Sequence, residues 1–321
     1  MRSLNIKICG QYRSLFGEGP IWHDQFGLLW LDITQQKIIS YNEETNVEKV
    51  YDAKGRIKSI IPTKKGDLVA VYKDGLYSFD LGKETKTFLC APSGLNNLHY
   101  LNDAKCGFEG SIWVGSSDGG FKEFKENSET ARLPYLKRNS FLYRIDEQLN
   151  IHIVKDQITI SNGLDWNRHN QKFYYIDSAK QAIFEYEIDN DKNLQNEQLI
   201  YQFDVIEGFP DGMTIDVDGN LWVAIFKSGV IAMDSDNTSK ILHINPHTRS
   251  ILNEIKLPVP HVTSCTIGGN QLDTLFITTA LEPIPNEKRS ETPYAGHLLR
   301  VKIPTKGVKP YYFSSEKLVE K

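Results

Sequence analysis

The chain has 321 residues, 37 basic and 41 acidic side chains, and a formal charge of -4. At 40% hydrophobic and 24% charged residues its composition excludes disordered, collagen-like and membrane-spanning classes. The near balance of charge excludes nucleic acid as the main partner, because phosphate neutralisation needs a basic patch that no segment supplies.

The start, Met1 to Ile8, alternates polar and apolar residues and carries Lys7 where a signal peptide needs an uninterrupted apolar core, so a β-strand from Leu4 to Ile8 is expected. No run reaches the roughly 18 to 20 apolar residues of a membrane span. Cys9, Cys90, Cys106 and Cys265 are widely spaced without a C-x-x-C pair, which argues against disulfides or a zinc knuckle and for a reducing, cytoplasmic setting.

Along the chain a short apolar strand recurs six times: Leu29 to Leu31, Leu68 to Ala70, Ile112 to Val114, Phe173 to Tyr175, Leu221 to Val223 and Leu275 to Ile277. A second strand follows each, at Ile38 to Asn42, Leu76 to Asp80, Leu142 to Asp146, Ile183 to Glu187, Val230 to Asp234 and Leu298 to Lys302. No helix-length window shows 3.6-residue periodicity, so the chain is all-β. Six such pairs at intervals of about fifty residues predict a six-bladed β-propeller. A large sandwich or two β domains would not repeat one signature six times. The ring is then closed by the N-terminal strand, which removes an exposed sheet edge. A length that suggests about two domains at roughly 150 residues each becomes one propeller domain over residues 1–321.

In blades three and six the two strands start far apart, at Ile112 and Leu142 and at Leu275 and Leu298. The insertions around Ser117 to Ser140 and Ala280 to Gly296 are expected at one end of the channel, either as lids or as disordered loops.

Each blade opens with a corner before its innermost strand. Four carry a carboxylate or amide: Glu18 in Gly17-Glu18-Gly19-Pro20, Asn102-Asp103, Asn162-Gly163 and Asp211-Gly212. The meander places them at one mouth, where Glu18, Asn162 and Asp211 make an all-oxygen set suited to calcium, magnesium or manganese. Asn-Gly and Asp-Gly are also ordinary turn dipeptides. Glu18 has no such explanation, and Asp103 reads as a hydrogen-bond partner within the blade. His261 and His297 fall near the mouth and His99 beside the Asn102 corner, whereas His23, His152, His169, His243 and His247 read as turn or surface positions. No histidine pairs with Ser and Asp as a nucleophilic triad requires.

Gly17 to Trp22, Ser161 to Trp166, Pro210 to Asp216 with Gly219 to Ala224, and Val262 to Cys265 with Gly268-Gly269 resemble the gluconolactonase, regucalcin and luciferin-regenerating-enzyme family, nearly end to end. The resemblance implies a six-bladed propeller with one catalytic divalent cation (calcium, zinc, magnesium or manganese) held by Glu18, Asn162 and Asp211. It also implies Asp211 as general base and Asn102 facing the substrate. The family's sugar-lactone hydrolases carry Arg where this chain has Tyr100, and Gly where it has Ala104. A tyrosine hydroxyl does not replace the fixed donor fork of Arg, so Tyr100 marks an altered substrate end. The expected activity is metal-dependent hydrolysis of a lactone or related small ester. The rivals are a calcium-binding regulatory propeller without catalysis and a phosphotriesterase-like hydrolase.

Overall fold

A strand buried on both faces shows no polar side, so its sequence is a continuous apolar run. The six predicted runs are strands of this kind. The computed structural model describes residues 5–118, 139–227 and 238–318, and the strands in them form six antiparallel four-stranded sheets, a six-bladed β-propeller. After β1 (Lys7–Arg13), the first sheet is β2 (Gly17–His23), β3 (Gly27–Asp32), β4 (Lys37–Asn42) and β5 (Val47–Asp52). The second is β6 (Ile57–Pro62), β7 (Leu68–Tyr72), β8 (Gly75–Asp80) and β9 (Thr85–Cys90); the third is β10 (His99–Cys106), β11 (Ile112–Asp118), β12 (Ser140–Ile145) and β13 (Ile151–Ile158). The fourth is β14 (Ser161–Trp166), β15 (Phe173–Asp177), β16 (Ala182–Ile188) and β17 (Leu194–Gln202); the fifth is β18 (Phe209–Ile215), β19 (Leu221–Phe226), β20 (Ser239–Asn245) and β21 (Ser250–Leu257). The sixth joins β22 (Val262–Gly268), β23 (Thr274–Thr279) and β24 (His297–Lys302) to β1. Among the described residues no helix is long and apolar enough to cross a membrane.

The N-terminal strand closes the last sheet as expected, but it runs from Lys7 to Arg13, and Leu4 lies outside the described residues. Cys9 pairs with Leu298 of β24. Beyond it, the amides of Gln11 and Tyr12 both donate to Glu48 Oε2, at 2.6 and 2.8 Å, which extends the strand past the apolar alternation that marked it. In the fifth sheet the third strand is Ser239–Asn245, whose Ile241, Leu242 and Ile244 are fully buried. The expected strand Val230 to Asp234 lies outside the described residues, as does most of the insertion between Ser117 and Ser140.

The chain divides into two compact units. One holds the first, fifth and sixth sheets, with a core that includes Trp222, Leu257, Val262, Leu275 and Leu299. Its insertion from Ala280 to Gly296 is packed down: Leu281, Ile284 and Ala295 are buried, and the Arg13 guanidinium donates to the carbonyls of Ala295 and Thr292 at 2.8 and 3.1 Å. The other unit holds the second, third and fourth sheets. Its Trp113, Trp166 and Phe173 pack with ring centroids 5.0 to 5.7 Å apart, and buried Phe313 fastens the tail through its amide to Pro62 O at 2.9 Å.

Candidate functional site

In every blade the innermost strand takes one extra residue against its neighbour. The pairing shifts between Glu18 and Ile21, Ile57 and Ser59, Leu101 and Ala104, Ser161 and Leu164, Pro210 and Met213, and Val262 and Ser264. A β-bulge of this kind interrupts the ladder and re-aims side chains. The four polar corners coincide with four of the bulges. Asn162-Gly163 and Asp211-Gly212 are therefore not reversing turns, and their composition has another origin. A Cβ on Gly212 would lie 2.0 Å from Ser264 Oγ, so glycine is there to admit the neighbouring strand.

Glu18 and Asp211 belong to the first unit. Both are half-buried, and their strands, β2 and β18, each pack against β22. Thr263 of β22 donates to Gly17 O at 2.6 Å, and Ser264 meets Gly212, so β22 is fitted to both corners. Gly19 takes φ +52°, a left-handed conformation suited to glycine, and its amide donates to Glu18 Oε2 at 3.0 Å.

Asn102, Asn162 and Tyr100 belong to the second unit. Asn102 Nδ2 donates to Asn162 Oδ1 at 3.0 Å and to Ser161 O at 2.8 Å. Asn162 Nδ2 donates in turn to Ser178 Oγ at 2.7 Å, which fixes which end of the amide faces Asn102. Asp103 acts within the blades as expected: its Oδ1 accepts from the Ala104 amide at 2.8 Å and from Ser59 Oγ at 3.2 Å. Burial pushes its carboxyl up, against the pull of Lys105 and these hydrogen bonds. Two cations lie over the Tyr100 ring, with Lys58 Nζ 5.0 Å and Lys73 Nζ 5.2 Å from its centroid. Burial, with Asp118 nearby, raises its hydroxyl.

The histidines depart from expectation at one position. His23 is buried but stands at the β2–β3 turn, where its Nδ1 accepts from the Gln25 amide at 3.1 Å and its ring lies 4.7 Å from that of Phe26. His243 stacks on Trp222 at 4.0 Å and bonds Asp216 Oδ2 through Nε2 at 2.9 Å. That Asp216 cluster went unnoticed in the sequence, although the turn Asp216-Val217-Asp218-Gly219-Asn220 before Trp222 signals it. His261 Nδ1 bonds Lys227 O, and His297 Nδ1 bonds Tyr12 O. All four cysteines are free, and burial pushes the Cys9 thiol up to about 12.

Among the described residues no three His, Cys, Asp or Glu side chains gather as a metal cluster. The expected ligand set does not require one, since it has two carboxylates and one amide oxygen. These are oxygen donors of the type hard divalent cations prefer, and the Asn162 oxygen is held in a fixed direction.

The family model described as the SMP-30/Gluconolactonase/LRE-like region matches residues 16–281. A Bacillus subtilis (strain 168) protein named as a candidate sugar lactone lactonase, YvrE, is 32% identical over 95% of this chain and 97% of its own. Regucalcin of Gallus gallus is 27% identical over 98% of this chain and 100% of its own. A solved luciferin-regenerating enzyme superposes with a TM-score of 0.81 at 25% identity, covering 97% of this chain and 99% of that one. The chain belongs to the SMP-30/gluconolactonase/LRE-like family.

Proposed function

We propose that the protein is a divalent-metal-dependent hydrolase of a lactone or related small ester. The observation that carries this reading is the coincidence of polar corners and bulges: Asn102, Asn162 and Asp211 stand within the bulges of their innermost strands, and Glu18, paired with Leu31, borders the bulge of its own. Membership of a family whose relatives include one named for lactonase activity supports the same reading.

Glu18, Asn162 and Asp211 are the residues that would hold the cation. Polarisation of the scissile carbonyl and stabilisation of its oxyanion are the chemistry a bound divalent cation supplies. Asp211 takes a proton from the attacking water as general base. Asn102 orients Asn162 through its side-chain nitrogen and faces the substrate, and Tyr100 contacts the substrate end. Metal ligands and a base form a sufficient set, so the lack of a Ser-His-Asp triad is no objection.

Glu18→Ala and Asp211→Ala, purified and analysed for bound metal and for hydrolysis of aldonolactones, test the reading. Each is expected to lose stoichiometric metal and at least about 100-fold in kcat, the scale of a lost general base. Turnover like the parent protein in either would overturn it. A panel of aldonolactones, aryl esters and phosphotriesters under calcium, zinc, magnesium and manganese separates it from its rivals. Binding without turnover under every metal would favour the regulatory calcium binder.

A further inference from the structure

We propose that the ring of Phe16 is an apolar wall of the substrate site and selects a lactone or ester that carries an aryl or alkyl substituent. The proposal rests on the lactonase reading for the reaction and adds the chemical class of the substrate.

Phe16 stands immediately before β2, two residues ahead of Glu18. Gly17 and Glu18 pair in turn with Asp32 and Leu31, and the Phe16 carbonyl accepts from the Ile33 amide at 3.0 Å, so the ladder is regular through all three residues. Alternate residues of a regular strand share a face. Gly17 takes the packed side, where a Cβ would meet Ser14 Oγ and Thr279 O at 2.8 Å and the Trp30 ring at 3.1 Å. Phe16 and Glu18 therefore project together from the other side, which sets a phenyl ring beside the carboxylate assigned to the cation.

That ring is held in place. The backbone of Phe16 bridges to Ala280, just beyond β23. Its ring stacks on that of Phe226, at the end of β19, with centroids 6.1 Å and planes 27° apart. Phe226 lies in turn 5.0 Å from the ring of His261, whose Nδ1 donates to the Lys227 carbonyl and so fixes the imidazole. Phe226 also pairs with Phe209, two residues before Asp211. The stack thus reaches from the strand that bears Asp211 to the strand that bears Glu18, within one compact unit. Phe226 and His261 are 6% and 4% exposed, whereas Phe16 is only half-buried, so two buried rings support a third that still meets water. A partly open ring gains in proportion to the apolar area that covers it, and its π face favours an aromatic or aliphatic partner. A hydroxyl pressed against it would lose water without gaining a hydrogen bond. The wall therefore favours an aryl or alkyl group over the polyhydroxylated chain of an aldonolactone.

Steady-state kinetics on γ-butyrolactone, γ-phenyl-γ-butyrolactone, γ-octanolactone and gluconolactone test this, with the intact protein, Phe16→Ala and Phe16→Tyr. The intact protein is expected to show about tenfold higher kcat/KM for one of the substituted lactones than for γ-butyrolactone, the scale of an apolar contact in a substrate pocket. The phenyl and alkyl arms identify the substituent. Phe16→Ala should lower kcat/KM for that substrate about tenfold more than for γ-butyrolactone or gluconolactone, chiefly through KM. Phe16→Tyr, which keeps the ring, should restore most of the preference. An intact protein with no preference for either substituted lactone, or an equal loss on all the lactones in Phe16→Ala, would overturn the proposal. Calorimetry with the ring-opened acids, γ-hydroxy-γ-phenylbutyrate and γ-hydroxyoctanoate against γ-hydroxybutyrate, gives a readout independent of turnover. Phe16-dependent binding of a substituted acid in a protein that hydrolyses no lactone would sink the lactonase reading and leave the apolar wall standing. Good turnover of γ-butyrolactone without preference for a substituted lactone or acid would do the reverse.

Discussion

Asn102 donates from its side-chain nitrogen to the side-chain oxygen of Asn162 at 3.0 Å, joining the bulge of β10 to the bulge of β14. The two residues are sixty positions apart, and each also binds its surroundings, Asn102 to Ser161 O and Asn162 to Ser178 Oγ. The direction of the Asn162 amide is thus set from both ends. A group that orients a ligand in this way typically matters nearly as much as the ligand itself.

Asn102→Ala should therefore lower kcat/KM for a lactone by roughly 10- to 100-fold, the usual cost of losing an orienting partner. Asn102→Asp should be no better, because it sets an acceptor against the Asn162 oxygen. Kinetics alongside metal analysis check this. Full metal occupancy with unchanged kcat/KM in the Ala variant would remove Asn102 from the site.

Gly212→Ala should destabilise the protein by roughly 1–3 kcal/mol, as overpacking does. The new Cβ would meet not only Ser264 Oγ but also its Cα, at 2.7 Å, so rotation of the serine side chain gives no relief. Ser264→Gly in the same chain should recover part of the loss, making the pair non-additive. Thermal or urea unfolding of the two single variants and the double variant measures it; strict additivity would deny the contact.

Much of this was legible in the sequence. The second strand of each blade is buried on both faces, so Leu29 to Leu31 or Leu221 to Val223 declare themselves as apolar runs. The polar corners were legible as residues out of place before a strand. What the sequence hid was their geometry. A bulge of one residue has no composition of its own, and Asn162-Gly163 reads as a turn until the pairing on either side is known. In the fifth sheet the strand beside β19 is Ser239–Asn245, a segment without the spacing of the regular blades, and the expected strand Val230 to Asp234 lies outside the described residues.

Glu48→Ala should loosen the closing strand. One carboxylate oxygen accepts both the Gln11 and Tyr12 amides, and the truncation leaves both donors without it. A loss of roughly 1–3 kcal/mol is expected, since hydrogen bonds to a charged acceptor are worth more than neutral ones. Amide exchange should accelerate first in β1. Unchanged protection of Gln11 and Tyr12 would show that the strand holds through its β24 pairing alone.

Asp216 should give the protein an acid-sensitive contribution to stability. Burial opposes its ionised form, but the bonds from His243, the Asn220 amide and Trp222 outweigh burial and hold the carboxyl below the usual carboxylate range. Trp222 Nε1 and the Asn220 amide donate at 3.0 and 2.9 Å. A carboxylate whose folded pKa lies below its unfolded value of about 3.9 stabilises fully above that value. The contribution is then lost as pH falls through the folded pKa. Asp216→Asn should accordingly cost roughly 1–3 kcal/mol at neutral pH, where the hydrogen bonds to the charged acceptor are lost. The gap between variant and parent should narrow as pH falls below about 4, where the unfolded parent chain takes up a proton at Asp216 before the folded one does. Urea unfolding of both proteins between neutral pH and pH 3 follows the difference. A gap that stays constant across that range would mean the cluster stabilises through the packing of His243 on Trp222 rather than through the charge of Asp216.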